Sequence, residues 1–490
     1  MRDLLRDAAA GVLAAGLGIA VAELFAATTR PDAAPLIAVG GAIIDATPTP
    51  VKEFAVRELG TNDKPVLLGS VGLVLALFAA ALGVLGRRRR ILVPIGTVVL
   101  GAAGATAALT RPTASAFSPV PSLLAAAIAG ATLWWLLRTV DQPTGNRRAF
   151  LRGVVLVGGA AVLAEAGAQL LTRTVGRVRT DLALPAPSSP AKPVPTGIAP
   201  GFTTPSADFY RVDTALTVPR VDPDTWTLRI HGMVGTELKL SLDDLLRRPL
   251  IERDITLNCV SNEVGGPYIG TARWLGVPLA PLLREAGLRP EADQIVARSV
   301  EGMTIGTPVA TALDGRDTML AVAMNGEPLR PEHGFPVRML TPGLYGYAGA
   351  CKWVTELELT TFAKFDAYWV ERGWARPGTV KTASRIDKPR PFARPAAGPV
   401  TVAGVAWAQR RGITKVEISV DGGTWQAAEL LPVPSTDTWV QWRWTWNATA
   451  GPHSLSVRAT DSTGQVQTEA RATPFPSGAT GRHTITVTVE

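Results

Sequence analysis

The stretch "DITLNCVSNEV", Asp254 to Val264, decides how the rest of the chain is read. Ile255 and Leu257 alternate with polar neighbours, the period of a half-buried strand. The strand ends by delivering Cys259 into a loop of Ser, Asn, Glu and Gly. Only one other cysteine, Cys351, occurs in the 490 residues. A disulfide between the two is one reading of this thiol; a metal ligand is the other.

Outward from this loop the pattern is that of a mixed domain. Trp226, Leu228 and Ile230 alternate as a strand. Ser241 caps a short helix "SLDDLLRRP" that Pro249 ends, and "VPLAPLLREAGL" forms a second helix closed by Gly287. Another strand is expected in "FPVRML". Helices and strands mix without a regular βαβ repeat, which predicts an α+β fold. No GxGxxG or Walker-type loop is present, which removes the common nucleotide folds.

Downstream, the last 90 or so residues change character. "TKVEISV" (Thr414 to Val420) precedes a "DGG" turn and "TWQAAEL". Trp442, Trp444 and Trp446 alternate with Arg443 and Thr445, and Ile485, Val487 and Val489 alternate with threonines. Short alternating strands between turns predict a β-sandwich. The tryptophan ladder reads either as core packing or as a carbohydrate platform. Upstream, "DLALPAPSSPAKPVPTGIAPGFTTP" (181–205) is a Pro-rich linker, expected to be extended and semi-rigid.

The first third reads as membrane. Residues 66–86, 91–110 and 118–137 carry no charge over about 20 residues each, the length that crosses a hydrocarbon core. Residues 8–29 and 153–172 are similar but hold one acid each, Glu23 and Glu165. An acid in a span is either functional or hydrogen-bonded between helices. Five spans are expected, with Leu36 to Ile44 too short to cross. Basic clusters at 87–90 and at Arg138, Arg147 and Arg148 predict an inside N-terminus and an extracytoplasmic remainder. Arg173, Arg177 and Arg179 oppose that orientation. "NRRAFLRGVVLVGG" (Asn146 to Gly159) also resembles a twin-arginine export signal, although an ordinary basic loop reads the same way.

The formal net charge is +8. Residues 1–180 hold 18 basic and 10 acidic side chains, and the remainder holds 31 of each. The excess thus belongs to the membrane third, which argues against a nucleic-acid partner. All four histidines lie beyond residue 180, and Met1 is the only methionine before it. The helices therefore lack the usual axial ligands, and no haem is expected there.

The central domain, from about Phe209 to Pro391, resembles the molybdenum-cofactor domain of the sulfite oxidase family. The resemblance rests on "FYRVDTALTVPRVDPDTWTLRIHG", "ITLNC", "TARWLGVPLAPLL", "MNGEPLRPEHGFPVRMLTPGLYGY" and "CKWV", in that order. The sandwich, notably "GVAWAQRRGITKVEISVDGGTWQAAEL", resembles that family's dimerisation domain. The apolar spans and the Pro-rich composition set a membrane domain at 1–180 and the linker at 181–205; the resemblance adds a molybdopterin-binding catalytic domain at 206–391 and an immunoglobulin-like dimerisation domain at 398–490. It implies that Cys259 is the thiolate ligand of molybdenum, a soft donor that such a metal selects. Arg211, Asp213, Thr304, His333, Arg338, Cys351 and Lys352 are the implied molybdopterin-binding residues. Arg338 suits bidentate phosphate contact, Lys352 acts as a point charge, and Thr304 sits where the family has a pterin-contacting polar residue.

Three departures fall where the family binds sulfite. Cys259 is followed by "VSNEV" rather than a small-residue turn and an arginine, so Glu263 and Val264 supply no cation. Val322 and Ala323 precede "MNG" where a tyrosine is expected. Arg211-Val212-Asp213 replaces Arg-Asn-His. The expected function is a membrane-anchored molybdenum-cofactor oxidoreductase acting on a small substrate by oxygen-atom transfer, with an S- or N-oxide as candidate. Sulfite oxidation with a rebuilt anion site and a non-catalytic binding or adhesion protein are the alternatives. A separate electron carrier, quinone or cytochrome, and a homodimer are the expected partners.

Overall fold

The computed structural model describes residues 2–140, 147–174, 182–194 and 201–490. Residues 141–146, Arg177, Arg179 and the middle of the Pro-rich stretch lie outside the described residues. The chain forms two compact units, Met1–Val178 with Thr214–Arg220, and Arg179–Asp213 with Val221–Glu490.

The first unit is helical: α1 (Arg2–Thr29), α2 (Pro35–Ala46), α3 (Thr49–Leu59), α4 (Asp63–Arg88), α5 (Leu92–Leu109), α6 (Val120–Val140) and α7 (Arg147–Thr174). Among the described residues five helices are long and apolar enough to cross a membrane, at Asp3–Thr29, Asp63–Arg88, Leu92–Leu109, Val120–Thr139 and Leu151–Leu171. They coincide with the five expected spans. Their outward faces expose Leu73, Val74, Leu77, Val155, Val162 and Leu163, a surface water would penalise and lipid would not. Where α1 crosses α4, a Cβ on Gly11 would overlap the Ala79 carbonyl, and one on Gly83 the Asp7 carbonyl. Glycine there lets two backbones touch, the usual packing device of apolar helices in lipid.

Charge collects at one end of this bundle. Arg87 Nη1 pairs with Asp7 at 3.0 Å, Arg90 donates to the Leu137 carbonyl at 3.1 Å, and Arg90 and Arg138 both stack on Trp134. Glu23 and Glu165 face each other between α1 and α7, and Gln169 donates to Glu165 at 2.9 Å. The apolar segment too short to cross is α2; α3 was not anticipated.

The second unit is built on two sheets. Their strands are β1 (Thr227–Gly232), β2 (Leu238–Ser241), β3 (Ile251–Asn258), β4 (Ile269–Pro278), β5 (Gln294–Ser299), β6 (Thr304–Pro308), β7 (Met319–Met324), β8 (Glu327–Pro328), β9 (Arg338–Leu340), β10 (Ala350–Cys351) and β11 (Val354–Thr360). One sheet runs β2-β1-β11-β5-β6 with β1 and β11 parallel; the other runs β10-β9-β7-β4-β3, with β8 beside β7. The helix that Ser241 caps spans Leu242–Leu246 and carries the full capping box with Asp244. The second helix spans Leu279–Glu285, and Gly287 follows at φ +67°. This is the α+β architecture expected.

A β-sandwich completes the unit: β12 (Ala383–Lys388), β13 (Gly398–Trp407), β14 (Ile413–Val420), β15 (Gln426–Ala427), β16 (Glu429–Leu430), β17 (Val440–Ala448), β18 (Gly451–Asp461) and β19 (His483–Val489). Its sheets run β12-β13-β17-β16 and β15-β14-β18-β19. "TWQAAEL" is not one strand: Gln426–Ala427 pairs with β14 and Glu429–Leu430 with β17, so the segment crosses between sheets. Trp442 and Trp446 are buried in the sandwich core and Trp444 packs against it, so the ladder is packing and not a carbohydrate platform.

The described parts of the Pro-rich stretch are pinned rather than free. Ser189 bridges to Ile251, Glu252 N donates to Ser189 O at 2.9 Å, and Arg273 donates to Lys192 O at 2.7 Å. The segment covers the open edge of β3, which needs a partner for its backbone groups. Phe202 is buried, its carbonyl accepting the Trp439 indole N–H at 3.0 Å.

Candidate cofactor and active site

Strand β3 pairs with β4 along its whole length, and Cys259 is the first residue beyond it. The thiol is buried, and the chain turns sharply around it. Cys259 N donates to Tyr268 O at 3.0 Å, Asn262 N donates to Cys259 O at 3.1 Å, and Asn262 Oδ1 accepts Tyr268 N at 2.8 Å. Burial pushes the thiol pKa up, while the neighbouring Ser261 opposes that rise. A metal would reverse the balance, since coordination deprotonates a thiol outright.

The sandwich forms the outer wall of this loop. Arg385 donates to the Gly266 carbonyl at 2.8 Å and is itself held by Asp387 at 2.7 Å. Gly265 sits at φ +80°, and a Cβ there would overlap the His483 ring. Val260 and Ile269 share an apolar cluster with Tyr345, Trp374, Val405, Trp407 and Trp439. The second domain therefore shapes the surroundings of Cys259.

Arg211, Asp213, Arg338 and Lys352 form one cationic cluster, buried except for the partly exposed Arg211. Asp213 joins two of them, accepting from Arg211 Nε at 3.0 Å and from Lys352 Nζ at 2.5 Å. Its place is thus between cations, holding them in position. Burial first, then the charges of Arg338 and Arg211, brings the Lys352 pKa down to about 8, with Asp213 opposing. Arg338 is buried over Trp274, its centre 5.4 Å from the ring, and its Nη1 reaches the His333 carbonyl at 3.5 Å. Its Nε is buried with no partner. His333 is buried, its pKa held down mainly by desolvation, and Nε2 lies 2.7 Å from the Ser206 carbonyl, to which a neutral ring donates. Thr304 opens β6, and its hydroxyl accepts the Tyr368 N–H at 2.9 Å.

Both cysteines are free, so the disulfide reading fails. Cys351 is buried on β10 beside Lys352, and burial raises its pKa strongly.

Two residues near the thiol carry no mark in the sequence reading. Tyr210 and Tyr345 lie within electrostatic reach of Cys259; burial and that sulfur raise both phenol pKa values, Tyr345 to about 12. Both lie inside the quoted motifs, Tyr210 in "FYRVD" and Tyr345 in "GLYGY". Their nearness to the thiol, the deciding property, is tertiary. Val322 and Ala323 prove to be wholly buried core of β7, so tyrosine near the thiol comes from other elements.

A buried guanidinium with an unused donor fits a phosphate. Among the described residues, no group of three or more His, Cys, Asp or Glu is placed to hold a metal. A metal bound at Cys259 would therefore bring most of its ligands with it, as a pterin dithiolene does. The residues present fit the molybdenum cofactor, and together with the fold they define a molybdopterin-binding oxidoreductase domain.

Residues 215–369 match the model of the oxidoreductase molybdopterin binding domain, and residues 384–487 that of a bacterial Ig domain. Sulfite oxidase of Gallus gallus is 30% identical over 331 residues, covering 58% of this chain and 72% of that protein. Mitochondrial sulfite oxidase of Mus musculus is 33% identical over 283 residues, 49% of this chain and 51% of that protein. The sulfane dehydrogenase SoxCD from Paracoccus pantotrophus matches with a TM-score of 0.51 and 26% identity, over 58% of this chain and 80% of that one. The chain belongs to the sulfite oxidase family. It spans about half the length of the mammalian relatives it matches.

Proposed function

We propose that the protein is a membrane-anchored molybdenum-cofactor oxidoreductase that exchanges an oxygen atom with a small, neutral substrate outside the cytoplasm. The carrying observation is the buried Cys259 sulfur, supported by Ser261 and placed in the same domain as a buried arginine with a free donor. Cys259 is the metal-holding residue, and Arg211, His333, Arg338 and Lys352, oriented in part by Asp213, hold the phosphate and pterin. Bound there, the cofactor supplies two-electron oxygen-atom exchange.

The preference for a neutral oxide, such as a sulfoxide or N-oxide, rests on charge. Sulfite needs cations, and two arginines around this loop are committed: Arg385 to Asp387 and Gly266, Arg411 to Asp461 at 2.9 Å and to Thr382 at 3.1 Å. Tyr210 and Tyr345 stay protonated at neutral pH and offer O–H donors, which suit a neutral oxygen. Electrons would pass to or from a separate quinone or cytochrome.

The test is to purify the full-length protein in detergent and measure molybdenum. The same preparation is assayed for dye-coupled reduction of methyl sulfoxides and N-oxides and for sulfite oxidation. About one molybdenum per chain with oxide turnover supports the reading. Sulfite turnover alone transfers the assignment to sulfite oxidation, and absence of molybdenum removes the enzyme.

A further inference from the structure

The link from β12 to β13 contains "KPRPFARP", Lys388 to Pro395. Lys388, Arg390, Phe392 and Arg394 alternate along it, and all four are exposed. The segment is pinned to β19, the edge strand of its sheet. Phe392 N donates to Thr486 O at 2.7 Å, and Thr488 N to Ala393 O at 3.0 Å. Phe392 is the outlier on this ribbon. Its ring is 81% exposed, the most of any large apolar side chain among the described residues. Leu163 and Val155, on the apolar helices, are exposed by 75% and 71%, so the ring meets solvent as fully as side chains expected to meet lipid. Its backbone sits at φ +62°, a region that a bulky residue rarely adopts. A ring that buries so little surface contributes little to folding.

The charge beside the ring has one sign. Arg394 meets Glu490 at 3.0 Å with both side chains exposed, and Asp387 is committed to Arg385 at 2.7 Å. Lys388 and Arg390 have no acidic partner among the described residues. Residues 181–490 hold 31 bases and 31 acids, so the excess is local to the ribbon. Bases alone make a solvated face. Bases alternating with an outward aromatic ring match anionic phosphates lying over acyl chains, the bases reaching the phosphates and the ring the apolar boundary. An acidic protein would also attract the bases, but one ring is too small a core for a stable protein interface.

We propose that the ribbon 388–394 is a second membrane contact, docking the sandwich on anionic phospholipid headgroups with Phe392 inserted between them. One ring and three bases bind weakly by themselves. A helical anchor in the same chain makes the contact intramolecular, so weak affinity suffices. The proposal rests on the membrane-anchor reading above and is independent of the substrate.

The test places full-length Phe392→Cys, carrying an environment-sensitive dye, in lipid nanodiscs. Cys259 and Cys351 are buried, and wild type treated alike gives the labelling background. The discs are phosphatidylcholine alone or an equal mixture with phosphatidylglycerol, each with and without doxyl-labelled lipid. In the mixed discs the dye emission is expected to shift to the blue and to be quenched by the doxyl lipid, and both effects should weaken at high salt. Adding Lys388→Gln and Arg390→Gln should lower the ratio of docked to free ribbon about fivefold or more, the effect of even one base near an anionic surface. If Phe392→Cys does not fold, Ala396→Cys carries the dye beside an intact ring. A dye neither shifted nor quenched in mixed discs overturns the proposal. A shift that needs two copies per disc and shows no quenching assigns the ring to a second copy, and overturns it as well. Wild type that stays dispersed without detergent or lipid overturns the anchor reading, and this proposal with it.

Discussion

At the scale of single residues, Cys259 and Cys351 have the same side chain, both buried and both free, and differ only in their neighbours. Ser261 opposes the burial-driven rise of the Cys259 thiol pKa, whereas Cys351 Sγ lies 3.6 Å from the Lys352 carbonyl. Cys259→Ser is therefore expected to fold, since the cationic cluster remains, and to lose activity at least about a hundredfold together with the thiolate-to-molybdenum absorption. Cys351→Ser should keep the metal and most activity. Equal loss of stability in both, by roughly 2–5 kcal/mol with unchanged spectra, is what a bridge would give and would overturn the ligand assignment. Arg338 offers a second test. Its buried charge and partnerless Nε are costly until an anion binds, so Arg338→Met should leave the apo protein as stable as wild type, or more so by about 1 kcal/mol, while abolishing cofactor loading. Melting curves and molybdenum analysis of the same samples decide it.

At the scale of elements, strands and capped helices were legible because their signals are local. Ser241 with Asp244, Gly287 after its helix, and the period-2 runs of β1 and β14 needed nothing beyond neighbouring residues. What stayed hidden depends on contacts between distant segments: the Pro-rich stretch lying along β3, Tyr345 beside the thiol, and the sandwich gripping the loop after Cys259. His483 shows why such a grip has consequences. Its ring meets Gly265, and Nδ1 accepts Ile386 N at 3.0 Å, so it is held neutral; burial, helped by Arg385 and Arg471, takes its pKa down to about 4. The unfolded chain, with an ordinary histidine, binds the extra proton between about pH 4 and 6.5. Stability from this contact is complete above the unfolded pKa and falls as pH drops towards 4. Wild type should lose roughly 2 kcal/mol between pH 7 and pH 4.5 from this group, and His483→Gln should flatten that slope. Denaturant melts at a series of pH values measure it, and an unchanged slope in the variant removes the role.

At the scale of the whole molecule, the sandwich resembles a dimerisation domain, and full-length protein in detergent is expected to be a dimer that deletion of 398–490 turns monomeric. A deletion variant that stays dimeric in light scattering assigns association to the helices instead. Orientation in the membrane rests on charge. Arg87 to Arg90 and Arg138 gather at the end of the bundle where α1 begins, and α7 begins with Arg147 and Arg148. Positive charge stays cytoplasmic, so with an odd number of spans both domains of the second unit are expected outside. A periplasmic-type reporter fused after Glu490 should be active and a cytoplasmic one silent; the converse overturns the topology. The arginine pair separates two routes to that outcome. If Arg147 and Arg148 form an export signal read by a receptor, changing both to Lys keeps the charge but abolishes recognition, and the domains after α7 should remain inside. If they act only by charge, the double Lys variant exports normally. A folded, cofactor-loaded domain needs the first route, so a variant exported with its molybdenum intact would show that loading and export are not linked through this pair.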